Sequence, residues 1–133
     1  MADTNVRLDF LNDRDISKIL NFSGLENDLE LFIDRIDYYV AKCGGVITPT
    51  QIRNIYNKII KVDDNKPTQL QLLRPKLAFV AAKLKQDNQK IIVNLLMSCI
   101  KQVKTKEQVK NFKMFMEAFV AYHKYHHGEK DKN

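Results

Sequence analysis

The sequence predicts an all-α protein, a compact bundle of about five helices, and three observations carry that reading. Four glycines and three prolines in 133 residues are too few for the many turns of a β fold. Leu, Ile, Lys, Gln and Ala are abundant, and these residues favour helices. Apolar residues recur at i, i+3, i+4 and i+7 in successive stretches separated by short polar breaks. A chain of 15.5 kDa with 44% hydrophobic residues suits one domain, residues 1–133, around a single core.

Residues 1–22 form an N-terminal segment in which Val6, Leu8, Phe10, Leu11, Ile16, Ile19 and Leu20 alternate with charges, and a short helix is expected from near Asn12. Ser23 as N-cap and Glu26 at N3 open the next helix, whose apolar face is Leu25, Leu29, Phe32, Ile33, Ile36, Val40 and Cys43; Gly44-Gly45 is its stop signal. "ITPTQIRNIY" (47–56) then reads as a complete helix start. Thr48 is the N-cap, Pro49 sits at N1 where its missing N–H is harmless, Gln51 completes a capping box, and Ile47 staples to Ile52. Ile52, Ile55, Tyr56 and Ile59 share the inner face, whereas Arg53, Asn57 and Lys61 turn outward. Arg53 is the one residue that this helix start does not need.

The polar turn "DDNKP" precedes a stripe of Leu70, Leu73, Leu77, Val80, Ala81 and Leu84, with Pro75 either at N1 or at a kink. Residues 87–103 carry Ile92, Leu95, Leu96, Cys99 and Val103, and the run "IIVNLLMSCI" marks the most buried helix. Thr105 and Gln108 form a second capping box and open a helix with Val109, Phe112, Phe115, Met116, Phe119 and Val120. It is expected to end near Tyr125 and leave "HHGEKDKN" frayed, with 127–133 as a flexible tail.

The net charge of +6 is unevenly spread. Residues 1–43 hold five Lys/Arg against nine Asp/Glu, a balance of −4, and residues 44–133 hold seventeen against seven, a balance of +10. A basic body with an acidic N-terminal third suits a polyanion on one side; a solvated lysine-rich surface explains the composition equally well. Cys43 and Cys99 fall on apolar faces, and the start of the chain has no secretory pattern, so reduced core thiols in a cytoplasmic protein are expected. No apolar run reaches the roughly 18–20 residues that span a bilayer, so no membrane role is expected.

Catalytic chemistry finds little support in the residues. Neither cysteine has a local His or Asp partner, and no Gly-rich phosphate loop, HExxH or GxSxG is present. A metal site would have to use His123, His126 and His127, with Glu117 and Glu129 as companions; these lie where the last helix should fray, so no metal and no cofactor is expected. The acidic groups in "DRD", "ENDLE" and "DRID" read as solvated helix faces. The chain reads as a non-enzyme.

The placement of the cations is more informative. Leu72, Lys76, Phe79 and Lys83 share a stripe opposite Leu73, Leu77, Val80 and Leu84, with Arg74 and Lys85 on a flank. Together with Arg53 and Lys61, this stripe suits a phosphate backbone, its apolar members meeting a neighbouring protein. The same pattern also suits a second helix of the bundle covering Leu72 and Phe79 while the lysines snorkel.

Three segments, "ITPTQIRNIY" (47–56), "LRPKLAFVAAK" (73–83) and "FMEAFVAYHKYH" (115–126), together resemble the small subunit of type III-A CRISPR effector complexes, the Csm small-subunit family, over about residues 25–128. The resemblance implies an all-helical, non-catalytic protein present in several copies. It would pack beside the other Csm subunits in a filament that lines the groove holding the CRISPR RNA and its target RNA. It implies a basic groove surface at Arg53, Arg74, Lys76 and Lys83, to which Lys58 and Lys61 are added by their position on the same exposed side. The family pattern leads one to expect an aromatic hydroxyl at Phe79, an arginine at Lys83 and a basic residue at Asn54; Lys83 keeps the charge without the bidentate fork. The alternative is a helical protein-interaction adaptor with no direct RNA contact, its basic body facing an acidic partner.

Overall fold

The computed structural model describes residues 11–128, and it is all helical over them, without a strand. Six α-helices follow one another: α1 (Ile16–Ile19), α2 (Leu29–Cys43), α3 (Pro49–Ile60), α4 (Leu73–Lys83), α5 (Asp87–Gln102) and α6 (Lys106–His127). The expectations for Val6, Leu8, Phe10 and Glu129, and most of the expected tail, fall outside the described residues.

Helix α6 is the central post. It packs along α2 and α3, while α4 packs on α5. Phe112, Phe115 and Phe119 are fully buried, and Phe119 tilts against Tyr39 of α2 with ring centroids 6.3 Å apart. Phe22 meets Phe32 edge-on at 6.1 Å, which seats the N-terminal segment on α2. On α5, Ile92, Val93, Leu95, Leu96, Cys99 and Ile100 are all buried, in keeping with its apolar run.

Both predicted Thr/Gln capping boxes form. Thr48 Oγ1 accepts from the Gln51 N–H at 3.1 Å, and Gln51 Oε1 accepts from the Thr48 N–H at 3.0 Å. Thr105 and Gln108 repeat the exchange at 3.1 Å each way. Pro75 falls at N3 of α4, inside the first turn where backbone N–H groups have no helical acceptor, so it neither kinks nor breaks the helix.

Two local expectations are corrected, and a third, the stop at Gly44-Gly45, holds for a different reason. The helix expected from Ser23 starts only at Leu29, after two 3₁₀ turns (Phe22–Gly24 and Glu26–Asp28). Glu26, the first residue of the second turn, sits at a left-handed φ of 52°, and the Ser23 N–H is already donated to Asn111 Oδ1 of α6 at 2.9 Å. Gly44 and Gly45 end α2 without a left-handed residue; they make room instead, because a Cβ at Gly44 would stand 3.3 Å from the His123 ring and one at Gly45 3.2 Å from the His127 ring. The last helix passes Tyr125 and continues to His127, because its histidine rings are tied to α2 and the turn after it.

The acidic motifs also do more than solvate a surface. Asp15 of "DRD" is 4% exposed and grips Arg35 through two bonds of 2.6 and 2.9 Å. Asp37 of "DRID" lies 2.5 Å from His126 Nε2. Only a partner distant in sequence identifies these carboxylates as structural.

Candidate nucleic-acid interface

Helices α3 and α4 carry no carboxylate, and between Asp37 and Asp63 and again between Asp64 and Asp87 the sequence has none. Where the two helices meet, Gln51, Asn54, Ile55 and Lys58 of α3 face Lys76, Leu77, Val80 and Lys83 of α4 across a groove of about 210 Å³. Its floor is apolar and its rims are amide and ammonium groups. Gln51 and Lys83 also border a shallower hollow of about 310 Å³ that continues past Leu84, Lys85, Gln86 and Gln89. The groove and hollow together form one cationic track from Lys58 to Lys85.

The helices that frame this track are fixed at their ends. The Thr48–Gln51 box closes the start of α3, and the His123 ring holds the Ile47 carbonyl just before it at 2.9 Å. Beyond the end of α3, Lys113 Nζ of α6 donates to the Val62 carbonyl at 2.5 Å and pairs with Asp64 at 2.6 Å. Gln71 Nε2 donates to the Ile100 carbonyl at 2.8 Å, pinning the 3₁₀ stretch that leads into α4 to the end of α5. The Gln89 side chain accepts from the N–H groups of Lys85 and Gln86 at 3.1 and 3.0 Å, which sets the turn between α4 and α5. Fixed at both ends, the rims hold a set spacing.

The six cations singled out from the sequence are all exposed, yet they do not form one cluster. Lys58, Lys76 and Lys83 line the groove. Lys61, the C-cap of α3, stands one turn beyond Lys58 on the neighbouring side. Arg53 follows Gln51 by two residues, about 200° round α3, and points away from the groove. Arg74 is two residues before Lys76, so it too leaves the groove side of α4, and its guanidinium donates to Gln71 Oε1 at 3.1 Å. Gln51 and Asn54 belong to the lining although sequence reading gave Gln51 only a capping role; nothing local signals its second position.

Among the described residues, no second helix of the bundle covers the mixed stripe on α4. Leu72 and Phe79 are 69% and 64% exposed, and Lys83 Nζ lies 4.5 Å from the centre of the Phe79 ring. The ammonium over the face of the ring is a cation–π contact at the lip of the groove.

The histidines are structural instead. His123 is 1% exposed, and its Nε2–H is shared between the carbonyls of Gly44 at 3.0 Å and Ile47 at 2.9 Å. Burial lowers its pKa, against the two carbonyl bonds that raise it. His127 Nε2 donates to the Val40 carbonyl in the last turn of α2 at 2.7 Å. Among the described residues, no group of three or more His, Cys, Asp and Glu has the arrangement to hold a metal. Burial pushes the Cys99 thiol up to about 12 and raises that of Cys43, so both stay protonated at neutral pH. No described helix is long and apolar enough to cross a membrane.

No curated protein and no solved structure matches the chain. The Csm2 Type III-A family model matches residues 26–129, which includes both groove helices and the histidine-tied end of α6 and leaves out α1. That match covers most of the chain, and it falls on the same segments that carry the groove. The chain therefore belongs to the Csm2 Type III-A family and is a small subunit of a type III-A CRISPR complex.

Proposed function

We propose that this subunit is non-catalytic and RNA-binding, and that it holds the CRISPR RNA and its target RNA by their phosphates in the groove between α3 and α4. It acts in the cytoplasm in several copies beside the other Csm subunits, each copy adding its groove to a filament. The observation that carries this reading is the convergence of Lys58, Lys76 and Lys83 from two helices on one groove, with no carboxylate on either helix. Phosphate contacts position a strand without reading its bases, as a complex that accepts many guide sequences requires. Lys61 extends the contact along α3, and Arg53 and Arg74 are secondary contacts that a strand reaches only by passing round the helices.

The test compares the wild-type chain with the triple variant Lys58→Ala/Lys76→Ala/Lys83→Ala on two single-stranded RNAs of unrelated sequence. Binding weakened on the order of tenfold, equally for both sequences, is expected when about three phosphate contacts are lost. The rival reading is an adaptor without RNA contact. Unchanged RNA retention by the triple variant, together with lost assembly into the complex, would establish the adaptor and end the RNA proposal.

A further inference from the structure

We propose that Phe79 is a stacking platform for an RNA base, placed so that a strand whose phosphates meet Lys76 and Lys83 lays one base on its ring. This rests on the reading of the α3–α4 groove as an RNA-backbone contact and names a base contact within it. Three observations converge on this ring. First, Phe79 is 64% exposed while Leu73, Leu77 and Ala81 on the opposite side of the same helix are 2–9% exposed, so the core makes no use of it. Second, Phe79 stands three residues after Lys76 and four before Lys83, the two spacings that place helical side chains side by side. Both lysines line the groove. Third, the Lys83 ammonium lies 4.5 Å from the ring centre, so the ring already bears a cation at the groove lip.

A lone exposed hydrophobic residue needs no explanation. An aromatic ring flanked by two groove cations is a different object, because it pairs an electrostatic track with a flat apolar face, the two components of a sequence-tolerant single-strand site. As a strand enters, the Lys83 ammonium transfers from the ring to a phosphate and leaves a ring face open to the adjoining base. Every base has a π-face, so the contact adds affinity without selecting sequence. Leu72, 69% exposed on the same stripe, extends the apolar strip beyond the ring.

The experiment measures binding of the purified full-length chain to a single-stranded oligouridine and to an abasic oligonucleotide of equal length, for the wild type, Phe79→Ala, Phe79→Leu, Phe79→Trp and the triple lysine variant. Phe79→Ala and Phe79→Leu are expected to weaken oligouridine binding by roughly five- to 150-fold, the range for one stacked base, with Phe79→Trp at least as tight as the wild type. None of the three should alter binding of the abasic strand. Wild-type affinity of Phe79→Ala for oligouridine overturns the proposal, as does wild-type affinity of Phe79→Leu, which would mean apolar contact without stacking. Lost co-purification with a second copy or a neighbouring subunit, with RNA affinity intact, also overturns it and makes the strip a protein interface. A triple lysine variant that binds both strands as the wild type does rejects the groove reading itself, whereas a weakened triple variant beside an unaffected Phe79→Ala rejects only the stacking.

Discussion

His123 of α6 donates its single Nε2 hydrogen to the carbonyl of Gly44 at 3.0 Å, and shares it with the carbonyl of Ile47 at 2.9 Å. One buried imidazole therefore fixes the chain reversal between α2 and α3 and, through Ile47, the start of the groove helix.

A consequence is acid sensitivity. Burial lowers the His123 pKa in the folded chain, whereas the unfolded chain titrates near the ordinary value of about 6.5. Below that value the unfolded state binds more protons than the folded state, so stability is full above pH ~6.5 and falls as the pH drops through the range below it. Thermal melts followed by circular dichroism are expected to show a constant Tm from pH 7 to 8 and a falling one from about pH 6.5 to 5. His123→Gln should begin less stable and lose most of that dependence. A wild-type Tm that stays level down to pH 5 contradicts the role given to the ring.

The two glycines below the histidines should respond differently to alanine. At Gly44 a Cβ would stand 3.1 Å from Val40 Cγ1 and 3.3 Å from His123 Cδ2, both in packed surroundings. Its backbone at φ −70° suits any residue, so crowding alone decides, and Gly44→Ala is expected to destabilise by about 1–2 kcal/mol. At Gly45 the neighbour is the His127 ring, half-buried at the helix end, which need give only a few tenths of an ångström and can keep its bond to the Val40 carbonyl, so Gly45→Ala should stay within ~0.5 kcal/mol. Urea midpoints compare the two, and equal losses would refute the distinction.

The pair of Asp15 and Arg35 gives a third test. Asp15 is 4% exposed and also accepts the Asn12 N–H at 3.0 Å, so its carboxylate joins the N-terminal segment to α2. The Arg35 side chain retains 21% exposure, so water offsets part of what it loses with this partner. Asp15→Ala is expected to destabilise by about 2 kcal/mol, read from the urea midpoint; a loss below ~0.5 kcal/mol would show that the pair is dispensable.

Much of the helical frame was legible because its signals are local. Thr48 with Gln51, and Thr105 with Gln108, sit three residues apart and form the boxes their spacing announces. What the sequence hid are partners far apart along the chain. Ser23 reads as an N-cap, but its N–H is taken by Asn111, whose Nδ2 also donates to the Leu20 carbonyl at 2.9 Å. Gly44-Gly45 reads as a helix stop, but its purpose depends on rings some eighty residues later. The groove was half legible for the same reason. Helical spacing turned Arg53, Lys58, Lys61, Arg74, Lys76 and Lys83 outward, but which outward direction on α3 meets which on α4 is a property of packing. Lys58, rather than Arg53, is therefore the α3 cation that shares a groove with Lys76 and Lys83.

The groove itself is tested most directly by the salt dependence of RNA binding. Log Kobs against log[salt] for a single-stranded RNA should fall steeply with the wild-type chain, by about 0.7 per phosphate contacted, and the slope should flatten by about 2 when Lys58, Lys76 and Lys83 are all replaced by alanine. A wild-type slope near zero, or the same slope in both proteins, would contradict a phosphate-holding groove between α3 and α4.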